Sequence, residues 1–119
     1  MNNGSNVLLE KSFAFGVRIF KLCQFLQREH REYIVSKQLV RCGTAVGANA
    51  EEAMGGISKA DFSLKISIAY KEAREASYWL RLLRAADCLS ERQFESIHLE
   101  CQELCKILFA ILRTSGRTH

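Results

Sequence analysis

The absence of proline constrains this chain more than any other feature, because none of its 119 residues is proline. Prolines mark turns, edge strands and helix ends in most domains, so a chain without them favours long uninterrupted helices. The length fits a single domain, and the hydrophobic fraction of 48% is enough to bury a sizeable core. We therefore expect one domain over residues 1–119, with short flexible tails at about 1–6 and 115–119.

The spacing of apolar residues and the helix start and stop signals predict four helices. Their predicted bounds are residues 7–28, 33–54, 58–87 and 90–114, with breaks near 29–33, 55–58 and 87–90. Gly55-Gly56 supplies a stop, Ser58 is an N-cap residue, and Ser90 with Gln93 forms a capping box. Helices of similar length joined by short connections predict an all-α, antiparallel up-down-up-down four-helix bundle, with three-helix and swapped arrangements as the alternatives.

Two helices carry more apolar residues than one core face needs. In the third predicted helix, the residues that share the expected core face are Phe62, Ile66, Ala69, Ala73, Ala76, Leu80 and Leu83. A second apolar group on that helix comprises Leu64, Ile68, Trp79 and Leu82. The first helix likewise has two sets, one of them formed by Phe13, Val17 and Phe20. A helix with two apolar faces needs two partner surfaces, so we predict a homo-oligomer with the second group of the third helix at its interface.

The middle of the second helix is rich in glycine and alanine, and we call residues 41–53 its smooth segment. Gly43 and Gly47 each cost about 1 kcal/mol of helix propensity, which something must offset. Close approach of a neighbouring helix offsets such a loss, and the small residues Ala69, Ala73 and Ala76 of the third helix are candidates for that contact. A phosphate-binding role is disfavoured, because a glycine inside a helix presents no free N–H groups.

Polar residues share this smooth segment: Arg41, Thr44, Asn49 and Glu52. One interpretation is structural, with a hydrogen-bonded Asn49 inside the apolar stripe and Glu52 paired to Arg41 or to a lysine of the third helix. The other is a polar ligand or partner site lined by Asn49 and Glu52. The pattern leaves both open.

Neither a metal site nor an active site is expected. His98, Cys101 and Cys105 share a helix face and resemble a ligand set, but Cys101 falls on the apolar seam, where cysteine is typically a core residue. We therefore expect no metal and no cofactor. The chain has no phosphate-binding loop, zinc-protease motif or nucleophile elbow, so we expect no enzymatic activity. An enzyme would need a concave pocket that holds Glu52 beside a histidine or metal.

The cysteines and the hydropathy pattern predict a compartment. Five cysteines without a C-x-x-C pair are typical of a reduced, cytoplasmic protein. No apolar run approaches the roughly 18 residues needed to cross a bilayer, so we expect no membrane partner.

Basic residues gather on one arc of the third helix: Lys71, Arg74, Arg81 and Arg84. One interpretation is an ordinary solvated face. The other is a track for a phosphate backbone, because several copies of this arc in an oligomer would sum into a basic field. Arg18 and Lys21 of the first helix are weaker candidates for the same role. The net charge of +4 permits a nucleic-acid partner without requiring one.

Four segments of the chain carry a family resemblance. They read G-T-A-V-G-A-N-A-E-E-A over 43–53, S-K-A-D-F over 58–62, A-Y-K-E-A-R-E over 69–75 and Y-W-L-R-L-L over 78–83. In these segments, and more loosely over residues 8–114, the chain resembles the bacterial 23S ribosomal RNA intervening-sequence proteins.

This resemblance implies a four-helix bundle that assembles into a ring or barrel, often a pentamer, and has no catalytic activity. Relatives of the family are accessory proteins to the reverse transcriptases of diversity-generating retroelements, and this relationship implies a basic surface that contacts nucleic acid. The expected partners are therefore other copies of the chain, RNA or DNA, and a reverse transcriptase or another protein. A purely protein-binding scaffold is the alternative.

Overall fold

A computed structural model describes residues 3–116, and over that range the protein is built from four α-helices. Their bounds are α1 (Asn3–His30), α2 (Ile34–Met54), α3 (Lys59–Ala85) and α4 (Glu91–Gly116). The predicted all-α, four-helix architecture is confirmed. Parts of the predicted tails are helical, because α1 already covers residues 3–6 and α4 covers 115–116; the remaining tail residues lie outside the described range.

The helices pack in cyclic order, so that each contacts the preceding and the following one and α1 closes against α4. Connections of only three to five residues make successive helices antiparallel. The bundle is a rod of 46 × 21 × 21 Å with a nearly square cross-section. It therefore has four long sides, each formed by two adjacent helices. Over the described residues, none of the helices has an apolar stretch long enough for a bilayer crossing.

The core contains one apolar stripe from each helix, close to the predicted faces. Phe15, Ile19 and Leu26 of α1 are fully buried, whereas Phe13 and Phe20 of the same helix are 70% and 53% exposed. Of the two apolar sets on α1, one thus fills the core and the other faces outward. The predicted core positions of α3 are buried except for Phe62, which is half-buried.

The helix ends confirm two predicted caps and add a third. Ser58 accepts from the Asp61 N–H at 3.0 Å, and Ser90 and Gln93 exchange backbone-to-side-chain hydrogen bonds of 2.8 and 3.1 Å. The cap of α2 comes from Glu32, whose carboxylate accepts from three successive backbone N–H groups, those of residues 34–36. Its negative charge also suits the positive end of the helix dipole.

The smooth segment of α2 allows close approach, but of α1 rather than of the α3 alanines. A β-carbon built at Gly43 would lie 2.7 Å from Ile19 Cγ2, and one at Gly47 would lie 3.2 Å from the backbone oxygen of Ser12. The atoms nearest to these two positions belong to α1, whereas the suggested partners Ala69, Ala73 and Ala76 are buried core residues of α3. The two glycines therefore set the distance between α1 and α2.

Candidate nucleic-acid interface

The four sides of the bundle differ in how their charges are compensated. On the α2–α3 side, Arg41 lies 3.3 Å from Glu72 and also binds Glu75, and Lys65 lies 2.7 Å from Glu52. The Trp79 indole donates to Glu75 at 3.0 Å. This hydrogen bond, followed by the one from Arg41, holds the pKa of Glu75 below its ordinary value. Cations and carboxylates on this side neutralise each other.

The α1–α4 side is compensated in the same way. Arg18 forms an ion pair with Glu100 and donates to Ser96 at 3.1 Å, and Lys11 lies 3.6 Å from Glu103. Lys21 lies on this side too, beside Arg18 at a shallow depression. Arg18 and Lys21, the two candidates on α1, therefore lie on a different side of the bundle from the basic arc of α3.

The α3–α4 side is different, because its cations lie on aromatic rings. Arg74 donates to the Tyr70 hydroxyl at 3.0 Å, with its guanidinium carbon 5.7 Å from the ring centroid. Arg81 lies over Tyr78 at 5.8 Å. Within the described part of the chain, neither arginine has a carboxylate at salt-bridge distance, and neither does the exposed Lys71. Their charges are left available to a partner.

The arc continues in both directions along this side. At one end Arg84 donates to the Leu89 carbonyl at 3.5 Å and lies 4.0 Å from the carboxylate of Asp87. At the other end the Tyr70 ring meets Phe109 of α4 at 5.8 Å, and Arg113 lies 6.0 Å over that phenylalanine. The row of cations and aromatic rings therefore extends from α3 onto α4.

The sequence patterns did not predict that α4 contributes cations and a ring to this surface. Lys106, Phe109 and Arg113 line a depression of about 380 Å³. Their spacing of three and four residues places them on one helix face, which is the signal that could have found them. We call the combined surface the basic face; its cations are Lys71, Arg74, Arg81, Arg84, Lys106 and Arg113.

Beneath the basic face lie two titratable groups with altered pKa values. The interaction with the neighbouring Cys101 side chain lowers the pKa of Cys105, burial opposes this effect, and the charge of Arg74 lowers the pKa further. Burial, and then the charge of Arg81, lower the pKa of His98, which shares a hydrogen bond of 2.9 Å with Ser77. These surroundings favour the neutral form of His98.

His98 and Cys101, two of the three residues that resemble a metal-ligand set, form hydrogen bonds with different partners, Ser77 and Ala73. The Cys101 thiol is buried and donates to the Ala73 carbonyl at 3.2 Å, as a core cysteine does. Within residues 3–116, no three side chains of the metal-binding types are grouped around a common point.

The polar residues of α2 do not converge on a common site. Thr44 donates to the Val40 carbonyl at 2.6 Å, and Asn49 donates to that of Ala45 at 2.9 Å. Arg41 and Glu52 instead face α3, each in its own ion pair. The pairing of Glu52 with a lysine of the third helix agrees with the structural interpretation of this cluster.

The predicted interface residues on α3 are unevenly exposed. Leu64 is 57% exposed, whereas Ile68, Trp79 and Leu82 are half-buried. Leu64, Ile68 and Leu82 lie seven or eleven residues from Glu75 and therefore share its face of α3, which meets α2 through Arg41. A larger apolar surface lies on the α1–α2 side, where a groove of about 470 Å³ runs between the helices. Its apolar walls are formed by Leu9, Phe13, Val17 and Phe20, and its floor by Gly16, Gly47 and Ala48.

The chain matches one protein-family model and is similar to a solved structure. The family model described as 23S rRNA-intervening sequence protein matches residues 5–110. A crystal structure of a protein with unknown function from the S23 ribosomal protein family of Bacteroides thetaiotaomicron VPI-5482 is 44% identical to the chain, with a TM-score of 0.91. The match covers 92% of this chain and 98% of that one. No curated protein matches the chain.

Proposed function

Because the chain belongs to the family of 23S rRNA-intervening sequence proteins, we propose that it is a non-enzymatic, self-associating bundle that binds the phosphate backbone of RNA or DNA. The basic face is the binding surface. In this role the protein either holds nucleic acid by itself or presents it to an enzyme such as a reverse transcriptase.

The observation that carries the proposal is the uneven compensation of the arginines. Arg41 and Arg18 are each matched by a carboxylate of a neighbouring helix, whereas Arg74 and Arg81 lie on tyrosine rings. Two carboxylates that adjoin the arc in the sequence are paired elsewhere, since Glu72 and Glu75 bind Arg41. Of the cations of the basic face in the described part of the chain, Arg84 alone has a carboxylate at salt-bridge distance, that of Asp87 at 4.0 Å.

The form of the basic face favours backbone contact over reading of bases. Its cations are spread along two antiparallel helices, from Arg84 near one end to Arg113 near the other, and are not gathered on a single element that could enter a groove of a duplex. Phosphate contacts fix position without carrying sequence information, so binding should be weakly sequence-selective. It should also fall steeply with salt, because each neutralised phosphate releases counterions.

Self-association would multiply this field. The α1–α2 groove is concave, whereas Leu64 on the adjacent α2–α3 side is an exposed apolar residue flanked by half-buried ones. One copy can therefore insert its α2–α3 side into the groove of the next. Contact between two different surfaces is head-to-tail, and such a contact forms a closed ring when the rotation between successive copies adds up to a full turn. Each copy contributes +4, so an oligomer of five would carry five times that charge.

A salt titration of binding tests the proposal. Structured RNA and duplex DNA are titrated with the wild-type protein and with the double variant Arg74→Glu, Arg81→Glu. We expect binding at low salt that weakens as salt rises, and a large loss in the double variant. The matched control is Arg28→Glu, Lys37→Glu, which removes the same charge from exposed positions of α1 and α2.

Two results would overturn the proposal: no binding at low salt, or binding indifferent to both salt and the double charge reversal. An equal loss in the control variant would show that net charge alone, and not the basic face, attracts the nucleic acid. Absence of binding would leave the alternative, a purely protein-binding scaffold.

A further inference from the structure

The basic face combines its cations with exposed aromatic rings. Tyr78 is 49% exposed and Phe109 is 47% exposed, although both are large apolar-bodied side chains on helices with buried cores. Tyr78 is thus not a core residue, in contrast to its half-buried neighbour Trp79, whose ring it meets edge-on at 5.0 Å. Each exposed ring lies beside an arginine, Tyr78 beside Arg81 and Phe109 beside Arg113.

The three cation–π pairs found among the described residues all lie on this one side of the bundle. Tyr70 and Tyr78 are eight residues apart on α3, or about 12 Å at the rise of an α-helix. Tyr70 contacts Phe109 across the helix pair. Rings and guanidiniums therefore alternate along the face instead of forming separate apolar and charged patches.

A duplex does not account for this alternation. Its bases are stacked inside, and a flat helix pair that contacts its backbone has use for the cations but none for the rings. A single strand offers phosphates and unstacked bases together. Base stacking on aromatic side chains next to a positively charged track is the general means by which proteins hold single strands.

Resting on the proposed function, we infer that the basic face takes single-stranded nucleic acid in preference to duplex, with Tyr78 and Phe109 as stacking platforms for bases. Arg74, Arg81, Lys106 and Arg113 hold the phosphates of the same strand. Because every base has a π-face, the preference is for strandedness and not for sequence.

Fluorescence anisotropy with one labelled 20-nucleotide strand, alone and annealed to its complement, tests the inference. We expect the single strand to bind more tightly than the duplex at equal salt. Tyr78→Ala and Phe109→Ala should each weaken single-strand binding by about fivefold to 150-fold, the range of base–aromatic stacking. They should weaken duplex binding much less and leave the salt dependence nearly unchanged, because every cation of the basic face is retained. The matched control is Tyr33→Ala, which removes a 55% exposed ring from the start of α2, away from this face.

The outcomes separate the two proposals. If single strand and duplex bind equally well and Tyr78→Ala and Phe109→Ala change neither, stacking is excluded while backbone binding stands. If the aromatic variants weaken both forms equally, the rings serve general contact and the inference is again overturned. If neither form binds at low salt, the proposed function itself fails. Helical content by circular dichroism confirms that each variant is folded.

Discussion

Ile19 of α1 occupies the space that a side chain at position 43 of α2 would need. A β-carbon added at Gly43 would lie 2.7 Å from Ile19 Cγ2 and 3.0 Å from its Cγ1, and Ile19 is fully buried. The glycine thus allows the α1 and α2 backbones to approach until the isoleucine packs directly on the helix surface.

Gly43→Ala should destabilise the protein. Overpacking a buried site typically costs about 1–3 kcal/mol, whereas alanine recovers about 1 kcal/mol over glycine in a helix. We expect a net decrease in the free energy of unfolding, measured by urea denaturation at fixed protein concentration. Gly16→Ala is the control, because its β-carbon would meet only the Thr44 Cα at an ordinary 3.9 Å. It should be neutral or stabilising; equal stability of the two variants would contradict the packing argument.

Stability should fall in acid partly through Glu75. Hydrogen bonds from Trp79 and then from Arg41 lower the pKa of this carboxyl in the folded state from 4.5. The unfolded chain therefore binds the proton first as the pH drops. The contribution of Glu75 is fully present above pH 4.5 and is lost as the pH falls through the lower folded pKa.

Glu75→Gln keeps an acceptor for the indole but removes the charge. Its melting temperature should be lower than that of the wild type near neutral pH, and the difference should shrink as the pH falls below 4.5. Glu95→Gln, at an exposed carboxyl without an ion pair among the described residues, serves as control and should track the wild type. A difference between Glu75→Gln and wild type that is independent of pH would show that the charge of Glu75 is not the cause.

The helices could be predicted from the sequence because their signals are local. The caps at Ser58 and Ser90 and the stop at Gly55-Gly56 depend on residues within one turn of each other, and the structure has breaks at these places. The cap of α2 was missed because Glu32 acts from one residue before the usual N-cap position, and its role depends on the fold of the connection.

The side of each helix that meets a given neighbour could not be predicted in the same way. Helical spacing identified an apolar set on α1, but only the packing shows that Phe13 and Phe20 are outside while Phe15 and Ile19 are inside. Similarly, the basic arc was visible on α3, but the rings and cations that α4 adds depend on which face of α4 meets α3. The position of Arg18 beside Glu100 of α4, and not beside the basic arc of α3, likewise depends on how the helices pack.

The proposed head-to-tail contact makes a prediction that a symmetric contact does not. Phe13 in the groove is 70% exposed and Leu64 on the α2–α3 side is 57% exposed, so aspartate at either position should leave the fold intact. Each single variant loses one of the two surfaces that the contact joins. Phe13→Asp and Leu64→Asp should therefore both be monomers by sedimentation velocity at concentrations where the wild type is oligomeric.

Mixing the two variants distinguishes the geometries. Phe13→Asp retains an intact α2–α3 side and Leu64→Asp retains an intact groove, so together they can form one head-to-tail contact. We expect a heterodimer that grows no further, because its free ends are the two altered surfaces. Ile34→Asp, at a position 81% exposed at the start of α2, is the control and should assemble like the wild type. If Leu64→Asp alone still dimerises, or if mixing produces no heterodimer, the groove does not receive the α2–α3 side of a second copy, and the head-to-tail ring is wrong.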